Sequence, residues 1–441
     1  MLLVTCTCLT YDLGVPATGN RSTSATRVTS SLALVAFVLA SSYAAVIVVL
    51  LPNQVALLDP ESKVTNLAIV STVSFAFTIV AQPLVGSLSD RTHSPLGRRA
   101  PWMIGGALVA SAALLCLGDA SSLVLLGALW VLAQFSLNAL DIASSAVVPD
   151  EIPPARRGRA FAVIGTGATV GGAVAVVLAG RHADEPQVVY AALGLVLLVA
   201  TASFVLLAGV RDARIGERER GTGLSLRSFL VSPATEPEFV RVFGSRFLFV
   251  LAYYLVYAYQ LFILTDHLGL STDRANAVVG SLTVLGLTAV LVGIVLTGWW
   301  SDRVGNRPRF MVAACGLLAL GLLVPLVLPS VTGMAVFAGL RGLAFGIHLA
   351  ASSALITEVL PGGGLSAGKD LGIYNVATNI PQAVAPALAA LVIGHLGGYP
   401  ALFVAACVVA VLALLLSCRI RAVVTGAGGE AATTSGRMPS R

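Results

Sequence analysis

The sequence predicts an all-α membrane protein with twelve transmembrane helices in two pseudo-symmetric six-helix bundles. Three observations lead to this fold class. The chain of 441 residues is 57% hydrophobic and only 11% charged, which leaves too few charges to cover a soluble protein of that size. The apolar residues fall into twelve runs, each about as long as a helix that crosses a bilayer. A charged loop motif and its surroundings also occur twice along the chain.

Each apolar run is predicted to be helical, because hydrocarbon offers no hydrogen-bond partner to backbone N–H and C=O groups. Many runs are rich in Gly, Ala and Ser, as close packing between membrane helices favours. The cluster of Gly165, Gly167, Gly171 and Gly172 in the fifth run is an example. The twelve runs cover residues 30–52, 65–86, 101–118, 121–149, 158–180, 188–210, 245–268, 275–300, 310–329, 332–360, 370–394 and 400–418.

A long polar stretch at 211–244 divides the chain into two halves of six runs each. We therefore expect an N-terminal bundle over 29–210 and a C-terminal bundle over 245–420, with 211–244 as the central loop. The Ser- and Thr-rich residues 1–28 and the tail 421–441 are predicted to be disordered. The first of these stretches has no basic region before an apolar core, so it is not read as a signal peptide.

The placement of the basic residues predicts the orientation in the membrane. Of the 27 lysines and arginines, only Lys63, Arg181 and Arg274 fall in loops on one side, and Arg341 lies within a run. Because cytoplasmic loops carry the excess of basic residues, both termini and the central loop are predicted to be cytoplasmic. The net charge of +6 then reflects topology, and we expect no nucleic-acid partner. We expect a monomer in the bilayer of the plasma or inner membrane.

The two halves of the chain repeat one another. The motif Gly-x-x-Ser-Asp-Arg occurs at 86–91 and again at 298–303. The stretch at 145–153, which has an acid three residues before its final proline, is matched by the stretch at 353–361. The Gly158-Arg159 pair is matched in the same way by Gly-Lys, so three blocks recur at an offset of about 210 residues. We infer an internal duplication, which is frequent among membrane transporters.

These motifs resemble those of the major facilitator superfamily, and the resemblance covers residues 29–420. The string Gln-Pro-Leu-Val-Gly-Ser-Leu-Ser-Asp-Arg at 82–91, followed by Gly-Arg-Arg-Ala-Pro-Trp at 97–102, is similar to the sucrose-transporter branch and its bacterial relatives. Asp141, eight residues before Pro149, resembles helix four of the glycoside–pentoside–hexuronide cation symporters. The resemblance implies a major facilitator fold and a secondary transporter that works by rocking of its two halves.

The charged loop ends are predicted to form a cytoplasmic gate. Carboxylates and guanidinium groups that alternate at one membrane face can form a network that locks the halves closed on that side. The alternative is a set of solvated loops whose arginines only set the topology. The predicted gate residues are Asp90, Arg91, Arg98, Arg99, Asp150, Arg157, Asp302, Arg303 and Glu358.

Two charges lie plainly inside predicted helices, where ionisable residues are expensive and often functional. Asp141 lies about 13 Å from Asp150 along its helix, and Arg341 about 25 Å from Glu358. The two charges thus differ in depth by about 12 Å, and a substrate or a water could bridge them. We expect Asp141 to be the cation-coupling site and Arg341 a substrate or gating contact. The alternative for each is a hydrogen bond that packs two helices together.

The coupling ion is predicted from positions at which this chain differs from the family that it resembles. Sodium-coupled relatives carry acids just before the proline of helix two, where this chain has Thr78 and Gln82. One intramembrane carboxylate is a poor cage for Na⁺, but it suffices to take up a proton. We therefore expect H⁺ as the coupling ion and no other cofactor, with uncoupled transport as the alternative.

Neutral polar residues outline a predicted cavity, since amides and hydroxyls beside aromatic rings suit a polyhydroxyl ligand. Tyr253, Tyr257 and Gln260 follow one another at i, i+4 and i+7. The alternative is that each polar group binds a neighbouring helix, which is also how we interpret His348. The predicted substrate-binding residues are Asn138, Tyr253, Tyr257, Gln260, Arg341, Asn375, Asn379 and Gln382.

Enzymatic and ATP-driven functions are not indicated, because the sequence has no P-loop, no nucleophile–base pattern and no metal-ligand spacing. The leading expectation is proton-coupled symport of a sugar or glycoside. The alternative is proton-coupled efflux of a drug or secondary metabolite, because a fold does not fix a function. A non-transporting sensor or scaffold would need a large soluble domain or degraded gating loops, and the sequence shows neither.

Overall fold

The computed structural model describes residues 19–208, 237–304, 307–358 and 367–420, and within these ranges it omits the side chains of 19–24, 80, 154–155, 208, 301–304, 354, 356–358 and 367–375. The described residues are almost entirely helical and contain no strand. Twelve of their helices are long and apolar enough to cross a membrane, which confirms the predicted fold class. The helices are α1 Gly19–Ala45, α2 Leu51–Leu58, α3 Lys63–Arg91, α4 Ala100–Gly118, α5 Leu123–Glu151, α6 Pro154–Arg181, α7 Pro186–Ala208, α8 Pro237–Tyr257, α9 Gln260–Phe262, α10 Thr272–Val304, α11 Arg307–Val327, α12 Val331–Glu358, α13 Ala367–His395 and α14 Gly398–Ser417.

Helix ends follow local signals in the sequence. Ser122 precedes α5 in an extended conformation, and its hydroxyl accepts a hydrogen bond from the backbone N–H of Leu125, as an N-cap does. Pro101 and Pro154 lie in the first turns of α4 and α6, where no N–H partner is needed. Gly397, at φ 115°, separates α13 from α14, a conformation that glycine adopts without strain.

Two boundaries differ from the sequence prediction. Helix α1 begins at Gly19, so residues 19–28 are helical and not part of a disordered tail. Helix α8 begins at Pro237, inside the stretch 211–244 that was predicted to be the central loop. Residues 19–28 are mostly polar, so hydropathy gives them no helical signal, whereas residues 237–244 mix charged residues with buried apolar ones such as Phe239 and Val242.

The chain forms two compact units. The first contains the described residues up to 208 together with Ala258–Val284, and the second contains 237–257 and the described residues from Leu285 onward. The first unit thus includes α1–α7, α9 and the beginning of α10. Helix α8 and the remainder of the chain belong to the second unit.

Close contact between α1 and α6 organises the first unit. A Cβ at Gly167 would lie 2.7 Å from the carbonyl oxygen of Ala33, and one at Gly171 would lie 2.1 Å from that of Phe37. The hydroxyl of Ser41 donates to the carbonyl oxygen of Gly171 at 3.0 Å. The glycines of α6 therefore bring two helix backbones together, as their clustering in the sequence predicted.

The second unit uses the same device between α10 and α12. A Cβ at Gly342 would lie 2.2 Å from the carbonyl oxygen of Gly286, and one at Gly346 would lie 2.1 Å from that of Val290. Larger side chains fill the space elsewhere, as in the edge-to-face contact of Phe337 with a phenyl ring of α14.

In the part of the chain that the structure describes, two π-helical turns interrupt the α-helical pattern. Val46–Leu50 joins α1 to α2, and Ile263–His267 follows α9. A π-helical turn holds one residue more than an α-helical turn, and such turns are frequently found at functional sites. Both lie in the first unit.

Candidate transport site and charged network

One arginine connects three helix ends at the arginine-rich end of the first unit. Arg99, at the start of α4, forms an ion pair of 2.6 Å with Asp90 at the end of α3. Its Nε donates to Asp150 near the end of α5 at 3.1 Å, and its Nη1 donates to the Ser89 hydroxyl at 2.7 Å. Only 10% of the Arg99 side chain is exposed, so its bonds to Asp150 and Ser89 are largely shielded from water, whereas the Asp90 side chain is 58% exposed.

The neighbouring arginines have different roles. Arg98 forms a second ion pair with Asp150 at 2.7 Å, but 38% of its side chain is exposed. Arg157 donates to the carbonyl oxygens of Ile152 and Pro149 at 2.9 and 2.8 Å, and so satisfies the open carbonyl end of α5. Arg91 is exposed, and no described ion pair includes it.

The structure therefore brings Asp90, Arg98, Arg99 and Asp150 into one network, as the alternation of charges suggested. All four lie in the first unit. The network joins loops of this unit to each other, and its predicted gating role stays a prediction. Ser89 completes the network, and the sequence analysis had not singled it out.

The duplicated motif in the second half lies outside the described side chains. Asp302 and Arg303 lie in the last turn of α10, and Glu358 is the last residue of α12. Their contacts, and those of Asn375 on α13, are not among the described ones.

Asp141 lies deep in α5 and is exposed. Its carboxylate forms no hydrogen bond or ion pair with any described residue. Tyr43 on α1 lies within electrostatic range of it, and the buried Tyr43 hydroxyl has no hydrogen-bond partner among the described residues. Helix α5 thus carries, in the middle of a membrane span, an acid whose carboxylate takes no part in helix packing.

Asn138, one turn before Asp141, is used for packing. Its amide donates to the Thr78 hydroxyl on α3 at 3.2 Å and to the carbonyl oxygen of Gln134 at 2.8 Å. The Gln134 amide donates to the same hydroxyl at 3.0 Å. For Asn138 the observed contact is therefore the alternative given above, a bond to a neighbouring helix. Thr78 stands where sodium-coupled relatives were expected to have an acid.

A positive charge surrounded by aromatic rings lies in the second unit. Arg341 on α12 is 4% exposed. Its guanidinium carbon lies 5.0 Å from the ring centre of Tyr253, 5.5 Å from that of Tyr257 and 5.1 Å from that of Phe337. These distances fit cation–π interactions, which are strongest when the cation is desolvated. The structure thus brings together three of the predicted substrate residues, Tyr253, Tyr257 and Arg341.

Two further groups extend this aromatic cluster. The side chains of Tyr254 on α8 and Gln382 on α13 lie close together, so the predicted substrate residues of α13 extend toward the tyrosines. His348 stacks on Phe249 with ring centres 3.9 Å apart, which is a packing contact. Asn379 is half-buried on the described part of α13.

Gln260 does not share a helix face with Tyr253 and Tyr257, contrary to the predicted i, i+4, i+7 stripe. Helix α8 ends at Tyr257, and Gln260 opens the short α9 as a residue of the first unit with 3% exposure. The sequence has neither proline nor glycine between these positions, so no residue type signals the break.

Sequence analysis also missed a polar contact of Arg246, a basic residue at the start of the predicted run 245–268. Arg246 on α8 is 8% exposed. It donates to the hydroxyls of Thr378 and Ser352, each at 2.9 Å. The three residues are far apart in the chain, and only the burial of an arginine inside a helix could have signalled the contact.

The described residues contain twelve helices long and apolar enough to span a membrane, and the sequence repeats its charged loop motif, an organisation that is frequent among membrane transporters. A sequence profile of the Major Facilitator Superfamily matches residues 32–277 and 242–435. The chain therefore belongs to this superfamily, and it is a secondary transporter and not an enzyme.

Solved structures show the same fold. A bacterial homolog of the human lysosomal transporter Spinster, in an inward-facing and occupied conformation, has a TM-score of 0.65 and 16% identity over 89% of this chain and 95% of its own. The inward-facing and unoccupied form also has a TM-score of 0.65 and 16% identity, over 92% of this chain and 97% of its own.

One curated relative is the MFS transporter asaE of Aspergillus flavus, 27% identical over 221 residues. The match spans 47% of this chain and 45% of that protein, which is about half of each.

Proposed function

We propose that the protein moves a small organic solute by alternating access, and that protonation of Asp141 couples this movement to the proton gradient. The observation that carries the proposal is the state of Asp141, an exposed acid within a membrane helix without a hydrogen bond or ion pair to any described residue. An acid in such a place is more often functional than structural. It can bind and release a proton without disrupting helix packing.

The neighbourhood of Asp141 supports a proton over Na⁺. Sodium prefers several oxygen ligands, and the nearby Thr78 hydroxyl already accepts hydrogen bonds from Gln134 and Asn138. Thr78 is also neutral, so this part of the first unit has a single carboxylate to offer.

Sugar or glycoside symport remains the leading specific function. Carbohydrate sites combine aromatic faces with amide and hydroxyl groups. The second unit supplies these with Tyr253, Tyr257, Asn379 and Gln382, and α8 and α13 lie close together at Tyr254 and Gln382. The resemblance of the 82–102 stretch to the sucrose-transporter branch points in the same direction.

Export of a drug or secondary metabolite is the second candidate. It is favoured by the three aromatic rings around Arg341, since such a surface also suits a flat organic molecule with a negative charge. Basic residues concentrate at one end of the bundle, so we propose that this end and both termini are cytoplasmic in the cell membrane. We propose a monomer as the working unit.

The deciding experiment is uptake into proteoliposomes that carry the purified protein and an imposed pH gradient. A panel of sugars, glycosides and aromatic acids is supplied with the gradient in each direction. Accumulation of a sugar that collapses with a protonophore supports symport. Expulsion of an aromatic acid supports efflux, and transport of any solute that ignores the pH gradient rules out proton coupling.

A further inference from the structure

A cavity of about 330 Å³ opens between the beginnings of α1 and α6 in the first unit. Its walls combine arginines, hydroxyl groups and apolar side chains. None of these residues is a member of the network around Arg99. Those that the argument uses are Thr29 and Ser30 on α1, Ile152 after α5, and Arg156, Arg159 and Val163 on α6.

The packing of α1 on α6 explains why the cavity lies here. Farther along the two helices, Gly167 touches the backbone of Ala33 and Gly171 touches that of Phe37, so the helices run in the same direction in one register. Continued one and two turns toward the helix starts, this register places Val163 and Arg159 of α6 beside α1. Because these side chains are larger than glycine, the helix backbones cannot approach as closely, and the cavity opens between them.

The cavity lies at the level where lipid headgroups meet a membrane protein. The candidate spans that form its walls begin at Ala25 and Arg156, so the cavity residues occupy about the first two turns of each span. Arginines near the end of a span extend their guanidinium groups toward the lipid phosphates.

An exposed apolar stripe leads away from the cavity along α6. Val163, Val170 and Val174 are each 40–45% exposed, and their spacing of seven and four residues places them on one face of the helix. Arg159, four residues before Val163, shares that face. A cation at the start of the span followed by exposed apolar side chains matches a phosphate that carries a hydrocarbon chain.

The two arginines of the cavity have no described acid to balance them. Arg156 and Arg159 are exposed, and neither side chain forms an ion pair or a hydrogen bond with a described residue. Arg157, between them, is used differently, because it donates to carbonyl oxygens at the end of α5. Asp150 is paired with the arginines that precede α4, and Glu151 is not among the described residues that line the cavity.

The α1 wall offers hydrogen-bond acceptors. The hydroxyls of Thr29 and Ser30 donate to the backbone oxygens of Ala25 and Thr26 at 2.8 and 3.0 Å. Each hydroxyl has a single hydrogen, which is used in this bond, so its oxygen is left to accept from a ligand. The cavity therefore suits a negative phosphate that is joined to a hydrogen-bond donor, such as a hydroxyl group.

We propose that the cavity binds the headgroup of an anionic phospholipid that carries hydroxyl groups, of which phosphatidylglycerol is the simplest. The two arginines bind its phosphate, the hydroxyl oxygens of α1 accept from its glycerol headgroup, and Ile152 and Val163 contact the beginning of an acyl chain. Two unbalanced positive charges favour this lipid over a zwitterionic one. The lipid is bound and not transported, so the proposal is independent of Asp141 and of the solute.

Native mass spectrometry of the purified full-length protein, titrated with lipid in detergent, tests the site. Phosphatidylglycerol should bind more tightly than phosphatidylethanolamine with the same acyl chains. Arg156→Gln and Arg159→Gln should each weaken phosphatidylglycerol binding about fivefold, the contribution of one arginine near an anionic lipid. Arg27→Gln is the matched control, because Arg27 is an exposed arginine of α1 that is not among the residues lining the cavity.

Thr29→Val separates the hydroxyl contact from the charge. Valine has nearly the shape of threonine but offers no acceptor, so this variant should weaken phosphatidylglycerol binding about threefold. It should leave the binding of phosphatidic acid unchanged, because that lipid has no glycerol headgroup. Inorganic phosphate and glycerol phosphate, added at the concentration of the lipid, should not displace it, because they lack the acyl chain.

Four results would overturn the proposal. Displacement by inorganic phosphate would assign the cavity to a soluble anion, and equal affinity for the two lipids would contradict the anionic headgroup. An equal loss in Arg27→Gln would show an effect of overall charge, and an equal loss of both lipids in Thr29→Val would show a change in packing. If Arg159→Gln does not give a monodisperse protein, Arg156→Gln carries the same expectation.

Discussion

Asn138 and Thr78 are joined by a hydrogen bond of 3.2 Å between α5 and α3, one helical turn from the acid at position 141. The Gln134 amide uses the same hydroxyl. Thr78 thus accepts from two buried amides, and it holds the helix that carries Asp141 against its neighbour.

Replacing Thr78 should reveal this role. Thr78→Val removes the acceptor and leaves buried amide donors without it, which should cost about 1–3 kcal/mol of stability. Thr78→Ser keeps the hydroxyl and should unfold close to the wild type. Thermal unfolding followed by intrinsic fluorescence distinguishes the two. Equal midpoints for both variants would show that the hydroxyl is not important for packing.

Asp141→Asn should abolish accumulation driven by a pH gradient and spare exchange of solute across the membrane. The amide cannot take up a proton, but its shape allows the solute to move. The measurement is uptake against counterflow in proteoliposomes. Asp119→Asn, at an exposed position beyond α4, is the control and should behave as wild type. Undiminished accumulation by Asp141→Asn would assign the coupling to another residue.

Arg99 and Arg98 should differ sharply although they are adjacent. Arg99→Ala removes a donor from Asp150 and from the buried Ser89 hydroxyl, and it should cost about 1–3 kcal/mol, as for leaving buried groups without a partner. Arg98→Ala removes a more exposed partner and should cost about 0–1 kcal/mol. Denaturation midpoints in one detergent give the comparison. Similar losses for both would mean that the network is no more than a set of surface pairs.

Gly171→Ala should disrupt the contact of α1 with α6. The new methyl would lie 2.1 Å from the Phe37 carbonyl oxygen, so the two helices must separate, at a cost of about 1–3 kcal/mol. Gly165→Ala is the control on the same helix, because nothing lies within 4 Å of its Cβ position. It should be neutral or stabilise slightly. Thermal midpoints test the pair, and equal shifts would contradict the packing argument.

The fold could be predicted from the sequence because a membrane span is recognised by the apolar composition of about twenty consecutive residues. The predictions that failed depended on local features of the backbone. The turn at 258–259 contains neither proline nor glycine, and a π-helical turn of apolar residues looks like any other stretch of a span. Helical periodicity alone therefore extended the Tyr253–Tyr257 stripe to Gln260, although the helix ends at Tyr257.

The candidate site was predicted where charge itself is the signal. Asp90, Arg98, Arg99 and Asp150 were recognisable because acids and bases alternate around short loops. The contacts of Arg246 depend on hydroxyls more than a hundred residues away, and no local pattern connects them. Thr78 was considered only because sodium-coupled relatives have an acid at that place. Its bonds to two amides depend on how α3 and α5 pack against each other, which the sequence alone does not show.

The π-helical turn Val46–Leu50 has a consequence for insertions and deletions. Removing one residue there would let α1 and α2 join as one regular helix, and it would not need to break the span. Because the π-helical turn already absorbs one extra residue, the residues beyond the deletion would keep their direction relative to α1. Asn53 would still face Asn276, whereas the same deletion inside the regular helix α3 would turn every later residue of that helix by about 100°.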